Sequence, residues 1–285
     1  MTHETSTRTA PDGLTLRTRR WTPDRARTAV VVVVHGVHEH SGRYAYLASA
    51  LMRRGVEVRA LDLRGHGESD GPRGQVDAFA DYVADVSAVL DDAVAEAGGL
   101  PVFVLGHSMG GLVVADTVVA RGTAGLAGVA LSSPALVVPK GTPVLLQKLA
   151  PLVARWLPDV PATRLDYSRL SRDPTVIRAY KADPLVTKQG VRARLAYEMA
   201  LAFDRVRARP DAFDVPLYLF HGTADTITDP AGTEWLAEHA ATDDVTLRLW
   251  DGLYHETMNE PERDAVIGEL ADWLVAHSEA EGPGA

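Results

Sequence analysis

The feature that most constrains this chain is a serine between glycines, placed where the periodicity of the apolar residues changes. Residues 102–105 form a short continuous apolar run, which is typical of a central parallel strand that is buried on both faces. From Met109 onward the apolar residues recur at helical spacing. Ser108, the middle residue of the string GHSMG, is therefore predicted to lie at a strand-to-helix corner.

A corner of this kind supplies two parts of a nucleophilic site from one turn. A strand that turns at once into a helix strains its corner residue, and neighbouring glycines allow the backbone to pass close by. The Ser108 hydroxyl is then pushed out above the sheet edge, and the Met109 N–H is left free at a helix N-terminus, where the dipole favours negative charge. The string alone could occur in a purely structural turn, but its position between strand and helix favours a serine nucleophile.

Strand and helix patterns alternate along nearly the whole chain. Periodicity predicts strands at residues 14–21, 28–36, 56–63, 102–105, 126–132, 215–222 and 245–252, and helices at 44–54, 81–97, 109–119, 231–239 and 261–277. This order is typical of an α/β fold, in which a mostly parallel central sheet is flanked by helices. A length of 285 residues suits one large α/β unit that carries an insertion.

One proline-rich segment interrupts the alternation. Ten of the 17 prolines lie from Pro134 to Pro216, and no clear strand is visible between them. We predict that residues 135–210 form a cap inserted over the active site, and that residues 1–134 and 211–285 form the core.

The first helical stretch of the cap, residues 143–157, has an apolar face, and Pro151 could split it into two short helices. The face comprises Leu145, Leu146, Leu149, Leu152, Val153, Trp156 and Leu157. It either packs against the core or faces lipid or an acyl chain, and the sequence leaves both interpretations open.

Composition excludes several classes of function. The chain has no cysteine, which removes disulfides, thiolate zinc sites and cysteine nucleophiles. The net charge of −9 argues against a nucleic acid partner and, on average, against anionic membranes, so lipid contact would have to use apolar surface. No apolar run approaches the roughly 18 residues of a membrane span, and the polar N-terminus has no signal-peptide pattern. The expected location is the cytoplasm, with peripheral membrane contact through the cap, and the oligomeric state is not indicated.

A serine hydroxyl needs a positioned base, and the base needs an acid that orients it. In serine hydrolases built on such a corner these residues follow in the order Ser, Asp, His, each on a loop after a strand. Asp225 and His255 each follow a predicted strand, so we assign them to a catalytic triad with Ser108. Asp229 and Asp251 compete with Asp225, but Asp229 precedes a proline and is better suited to cap the next helix.

The string HGVHEHSGRY, residues 35–44, contains three histidines and a glutamate. A metal site is one interpretation, but the string lacks the helical HExxH spacing and its turn spoils a shared face. Because the segment follows a strand predicted beside the nucleophile strand, it can offer a second backbone donor to an oxyanion, which we assign to the Val37 N–H. His107, next to the nucleophile, is expected to pack.

Six strings stand out along the chain: HGVHEHSGRY, DLRGHGESDGPRG, GHSMGG, YKADPL, HGTADTITD and YHETMNEPE. Together they resemble the monoacylglycerol lipase and lysophospholipase group of serine α/β-hydrolases, over about residues 17–273. The resemblance implies Ser108, Asp225 and His255 as the triad and the Val37 and Met109 N–H groups as the oxyanion hole. It also implies a cap over an acyl-binding tunnel and a small polar pocket for glycerol.

The same resemblance places Glu39 and Arg43 on the alcohol side of the pocket and Tyr180 on a cap tyrosine that can meet the glycerol. A simple ion pair at a helix start is the alternative for Glu39 and Arg43. Two residues depart from the family pattern: His38 stands where a glycine is usual, and Met258 where some members have a polar residue. Both departures concern head-group preference rather than the triad.

These observations lead us to expect a carboxylester hydrolase that acts on single-chain acyl esters, first of all monoacylglycerols, without a cofactor or a metal. A lysophospholipase, a general carboxylesterase or an acyltransferase of the same fold is the first alternative. A dehalogenase is disfavoured, because it would have an aspartate where Ser108 stands. A ligand-binding protein without catalytic activity is the second alternative, although such proteins usually lose a member of the triad.

Overall fold

The computed structural model describes residues 2–137 and 144–279, with the side chains of 144–147 left out of that description. The strands are β1 (Thr2–Thr9), β2 (Thr15–Thr22), β3 (Ala29–Val34), β4 (Val56–Leu61), β5 (Val102–His107), β6 (Gly128–Ser132), β7 (Pro161–Thr163), β8 (Val191–Arg192), β9 (Leu217–Gly222) and β10 (Val245–Trp250). The α-helices are α1 (Ala45–Met52), α2 (Phe79–Glu96), α3 (Met109–Arg121), α4 (Val144–Trp156), α5 (Pro174–Ala182), α6 (Ala193–Ala208), α7 (Pro230–His239) and α8 (Arg263–Glu279).

The main sheet has the strand order β1-β2-β4-β3-β5-β6-β9-β10. The six strands from β4 to β10 in this order run parallel, and β1 and β2 add an antiparallel edge. Every residue of β3 and β5 is buried, as the continuous apolar runs predict for central strands. The α/β-hydrolase fold class predicted from the sequence is therefore confirmed.

Apolar side chains of the sheet enter two separate cores, one on each face. Val30, Val32 and Val34 point into a core shared with α2 and α3, whereas Val31 and Val33 point into a second core shared with α1 and α8. This division follows from the two-residue period of a strand, which sends successive side chains to opposite faces. The sheet is thus held between two helical layers, and its carboxyl edge remains for the loops that follow the strands.

The N-terminal strand β1 was not predicted. Its side chains are almost all exposed, so the stretch THETSTRT lacks the apolar alternation by which a half-buried strand is recognised. The strand is held instead by its antiparallel ladder with β2, from the pair Thr2 and Thr22 to the pair Thr9 and Thr15.

The segment of residues 135–210 contains α4, α5 and α6, and it also contains a strand pair that the sequence analysis did not predict. β7 and β8 form a short antiparallel ladder in which Thr163 faces Val191. Two and three residues are too few to show a period in the sequence. The possible break at Pro151 does not occur, because α4 continues through the proline as one helix. The helix tolerates there a missing backbone donor and the crowding of the proline ring against the preceding turn.

The apolar face of α4 points outward. Leu149, Leu152, Trp156 and Leu157 are exposed, with relative exposures from 41% for Leu149 to 71% for Trp156, whereas Ala154 on another face is buried. Packing against the core is therefore wrong as an account of these four side chains; those of Leu145 and Leu146 lie outside the described residues. None of the helices in the described ranges has the length and apolar character that a membrane crossing requires.

Candidate active site

Ser108 occupies the predicted corner between β5 and α3. Its φ of 54° and ψ of −120° lie in a region that ordinary residues avoid. A Cβ on Gly106 would lie 2.5 Å from the Gly110 carbonyl oxygen, and a Cβ on Gly110 would collide with the Val34 carbonyl oxygen. The two glycines of the motif are thus required by close backbone contacts, and they allow the strained turn to form.

Asp225 lies on the loop after β9 and accepts five hydrogen bonds. Its Oδ2 accepts from His255 Nδ1 at 2.7 Å, from His221 Nε2 at 3.0 Å and from Thr228 Oγ1 at 2.8 Å, and its Oδ1 accepts from the Ile227 and Thr228 N–H groups. Burial by itself would raise the pKa of this carboxyl, but the facing His255 and His221 rings hold the pKa well below its usual range. Asp225 is therefore an anion whose acceptor positions are fully used.

His255 lies on the loop after β10 and is buried. Because its Nδ1–H donates to Asp225, its Nε2 is left as the basic nitrogen. Burial by itself would lower the pKa of His255, but the Asp225 carboxylate outweighs burial, and the pKa is raised. Ser108 and His255 line one cavity, and within the described residues no hydrogen bond joins them; such contacts often tighten only when a substrate binds.

His107 packs beside the site, as expected. Its ring centroid lies 4.9 Å from that of His255, and its Nδ1 lies 3.1 Å from both the carbonyl and hydroxyl oxygens of Ser132. Burial, and then the neighbouring His255, lowers the pKa of His107 to about 4, so this ring is neutral at ordinary pH.

The two predicted oxyanion donors lie next to the nucleophile. Met109 begins α3, and Val37 lines the same cavity as Ser108. Neither N–H donates a hydrogen bond to an acceptor in the described part of the chain. The Val37 loop is held against the corner, since a Cβ on Gly36 would lie 3.1 Å from Ser108 Cβ, and the Gly36 N–H donates to Glu39 Oε1 at 2.7 Å.

The three histidines of the loop after β3 have separate surroundings. His35 Nε2 accepts from the Leu63 N–H at 2.9 Å, whereas His40 Nε2 lies 2.9 Å from Asp183 of the cap segment. The His38 ring is buried, and neither of its nitrogens has a partner among the described residues. Across those residues no cluster of three or more His, Asp or Glu side chains could hold a metal ion.

The backbone conformation at His38 accounts for the glycine that is usual at this position. Its φ of 67° lies in the left-handed region, which glycine adopts without cost and a histidine does not. The His38 carbonyl accepts from the Thr187 N–H at 2.9 Å, so the strained loop is tied to the cap segment.

Glu39 and Arg43 form the ion pair that the alternative interpretation expects, at 2.5 Å, and Glu39 also lines the cavity. Arg43 is also bound by Glu256, whose two oxygens accept from its guanidinium at 2.8 and 2.7 Å. Tyr180 is buried, lines the cavity and lies with its ring centroid 4.7 Å from the Arg43 guanidinium carbon. Met258 does not reach this group and packs in the core on the α8 side.

Sequence reasoning missed three residues of this site: His221, Thr228 and Glu256. Each acts through a side-chain contact that no local period reveals, although Glu256 directly follows His255 in the string YHETMNEPE. The competing acids lie elsewhere. Asp229 caps α7 by accepting from the Ala231 N–H, as predicted, and Asp251 accepts from the Thr223 hydroxyl at the surface.

Comparison with known proteins identifies the family of this chain. Residues 25–262 match the family model described as serine aminopeptidase, S33. A monoacylglycerol lipase of Mycolicibacterium smegmatis is 37% identical over 90% of this chain and 91% of its own, and a monoglyceride lipase of Homo sapiens is 35% identical over 95% and 90%. The crystal structure of a Paleococcus ferrophilus monoacylglycerol lipase superposes with a TM-score of 0.80 at 32% identity, covering 90% of this chain and 98% of the other.

Proposed function

This chain belongs to the serine aminopeptidase S33 family of α/β-hydrolases, and from that premise we propose that it hydrolyses monoacylglycerols to a fatty acid and glycerol. It is a serine hydrolase that acts on ester bonds. The observation that carries the proposal is the hydrogen-bonded pair of Asp225 and His255, whose imidazole lines one cavity with Ser108.

Each side chain of the triad has a defined step in this reaction. His255 Nε2 takes the proton of the Ser108 hydroxyl as the oxygen attacks the ester carbonyl, and Asp225 stabilises the imidazolium that forms. The Val37 and Met109 N–H groups bind the oxyanion. The imidazolium then gives its proton to the leaving glycerol oxygen, which leaves an acyl-enzyme.

Water completes the cycle by the same steps. His255 takes a proton from water, the hydroxide attacks the acyl carbonyl, and the serine oxygen recovers its proton as the fatty acid is released. No other co-reactant is needed to balance this reaction.

The wall of the cavity fits an ester with one apolar and one polar end. Leu165, Leu170 and Ile227 supply apolar surface, and Glu39, Tyr180 and Glu256 supply polar groups. We assign the acyl chain to the apolar side and the glycerol to the polar side, because a polar group buried without a partner is costly.

A nucleophile substitution tests the proposed function. Ser108→Ala is expected to lower kcat for release of oleate from monooleoylglycerol by on the order of 10⁴ to 10⁶, as in the subtilisin case from which this magnitude comes. Ser133→Ala is the matched control, because its buried hydroxyl has no hydrogen-bond partner among the described residues. Near-normal turnover by Ser108→Ala would refute the triad.

Contact with an anionic lipid surface through residues 135–210 is a further part of the proposal. This segment holds 14 Lys and Arg against 6 Asp and Glu, a net charge of +8, whereas the rest of the chain holds 15 against 32, a net charge of −17. Five of the seven exposed large apolar side chains in the described residues also lie there, between Leu149 and Val160. Basic charge beside an exposed apolar helix face suits a membrane that carries anionic lipids.

A further inference from the structure

A buried guanidinium lies between two buried carboxylates beside the nucleophile. Arg43 donates to Glu39 Oε2 at 2.5 Å and to both oxygens of Glu256, at 2.8 and 2.7 Å. The exposed fractions of the three side chains are 12%, 5% and 4%, in the order Arg43, Glu39 and Glu256. Tyr44 and Asn259 complete the cluster by donating to Glu39 and Glu256 respectively.

The cluster carries one net negative charge. Burial would raise the pKa of each carboxyl, but Arg43 outweighs burial, lowering the pKa of Glu39 to about 2 and that of Glu256 below its usual range. Both are therefore ionised, against a single cation. The described residues that line the cavity include no lysine or arginine; they are Gly36, Val37, Glu39, His107, Ser108, Leu165, Leu170, Tyr180, Ile227, His255 and Glu256.

Arg43 is not free to bind an anionic ligand. Two of its nitrogens are engaged by Glu39 and Glu256, the latter in a bidentate pair, which is the strong geometry for a guanidinium and a carboxylate. The Tyr180 ring lies against the guanidinium at 4.7 Å. A phosphate entering this side of the cavity would meet carboxylate oxygens and no unpaired cation.

Resting on the proposed function, we infer that Glu256 is a specificity-determining residue whose buried carboxylate makes the alcohol side of the cavity negative. The enzyme therefore accepts single-chain esters of uncharged alcohols such as glycerol and rejects those whose alcohol carries a phosphate. Hydroxyl groups can donate to carboxylate oxygens, whereas a phosphate is repelled by them and loses its hydration without compensation.

The size of the effect follows from the distance and the surroundings. A phosphate charge about 7 Å from an uncompensated carboxylate, at an effective dielectric constant of about 20, is disfavoured by about tenfold or more in binding. Because the carboxylate is buried, dissolved salt screens this repulsion weakly, whereas salt removes repulsion that acts through the exposed surface charge.

The test compares two lysolipid esters with the same acyl chain. We would measure kcat/KM for monooleoylglycerol and for oleoyl lysophosphatidate in the same neutral detergent micelles, with p-nitrophenyl acetate as a substrate that has no head group. The wild-type enzyme is expected to favour monooleoylglycerol at least about tenfold, at low salt and at 0.5 M salt alike. In Glu256→Gln this ratio should fall about tenfold, and the circular dichroism spectrum with the urea midpoint reports whether the variant is folded.

Glu262→Gln is the matched control, because it removes the same charge from an exposed position on the same loop, where Glu262 is 46% exposed. Its ratio should equal that of the wild-type enzyme. Equal turnover of both lysolipids by the wild-type enzyme, loss of its preference at 0.5 M salt, or an unchanged ratio in Glu256→Gln would overturn the inference. If Glu256→Gln is unfolded, the two wild-type measurements can still overturn the inference. Hydrolysis of monooleoylglycerol that does not depend on Ser108 would instead refute the proposed function.

Discussion

At the scale of single residues, Asp225 shows how a carboxylate can be kept ionised in a protein interior. Three donors meet one of its oxygens and two backbone N–H groups meet the other. His221 is the second imidazole in this set, and it is oriented by Thr233, whose hydroxyl lies 2.7 Å from His221 Nδ1. Because every acceptor position of Asp225 is occupied, the carboxylate is held in one orientation. The His255 ring that donates to it is therefore held in one tautomer, with its proton on Nδ1.

The protonation of His255 sets the first prediction at this scale. The base must be neutral to accept a proton, and its pKa is raised above the ordinary 6.5 because the Asp225 carboxylate outweighs burial. Activity should therefore fall on acidification, with the midpoint of the acidic limb of kcat/KM above pH 6.5 rather than below it. A rate profile for p-nitrophenyl acetate from pH 5 to 9 measures this midpoint. A flat profile between pH 5 and 8 would contradict a histidine base.

The second prediction concerns backbone strain at His38. An L-residue in the left-handed region is strained by about 1 to 2 kcal/mol relative to glycine, so His38→Gly should be more stable to urea than His38→Ala, by about 1 kcal/mol. Both variants lose the same buried ring, and only the glycine relieves the strained φ. A control of opposite sign is Ala84→Gly at a half-buried position in the interior of α2, which should destabilise by about 1 kcal/mol. Equal urea midpoints for the two His38 variants would show that this strain is absent.

At the scale of elements, the sequence predicts the helices and strands whose apolar residues recur at a regular spacing. It also predicts the strand-to-helix turn at Ser108. The central strands and the helices α1, α2, α3, α7 and α8 were predicted within a few residues, because their apolar faces are buried against the two cores. The exposed edge strand β1 and the short pair β7 and β8 were not, because backbone pairing holds them and no apolar alternation marks it. Within residues 135–210 the helical stretch predicted at 143–157 agrees with α4, whereas α5 and α6 were not predicted, although Leu195, Phe203 and Val206 of α6 are buried in the core.

The candidate site divides in the same way. The positions of Ser108, Asp225 and His255 at one sheet edge were predictable, because each follows a parallel strand and parallel strands bring their carboxyl ends to the same edge. The contact between Arg43 and Glu256 spans 213 positions and depends on how two loops meet above that edge. Nothing local in the chain encodes such a meeting, so the charge of the pocket became visible only in three dimensions.

The loop that carries His255 also depends on the cap segment. The His255 and Glu256 N–H groups donate to the carbonyl oxygens of Arg169 and Leu170, at 3.4 and 2.7 Å. His255 and Glu256 are therefore positioned in part by the segment of residues 135–210, and not by the sheet alone.

At the scale of the whole molecule, the net charge of −9 conceals two opposed regions. Residues 135–210 carry +8 and the rest carries −17. The expectation that anionic membranes are repelled on average applies to the second region, whereas the first is the region with the exposed apolar face of α4. An average over the chain is a poor guide when the charges are segregated.

Vesicle binding tests whether residues 135–210 contact an anionic membrane. The protein is expected to co-sediment with vesicles of phosphatidylcholine and phosphatidylglycerol more than with phosphatidylcholine alone, and salt should weaken the difference. Leu152→Glu should reduce binding because it places a charge on the exposed face of α4. Leu249→Glu adds the same charge at another exposed leucine, on β10, which is 40% exposed against 57% for Leu152, and should leave binding unchanged. Equal binding to both vesicle types, or equal losses in both variants, would argue against the cap as the contact surface.

Segregated charge also acts before any contact is made. A body with opposite signs at two regions has a large electric dipole moment, and the field above an anionic bilayer exerts a torque on it within about one screening length, roughly 8 Å at physiological ionic strength. The molecule would thus be rotated during its approach, with the leucines and tryptophan of α4 turned toward the bilayer. The basic residues would then contribute mainly by orienting the molecule and less by holding it tightly to the bilayer. Each of many short binding events would begin with the exposed apolar side chains facing the membrane.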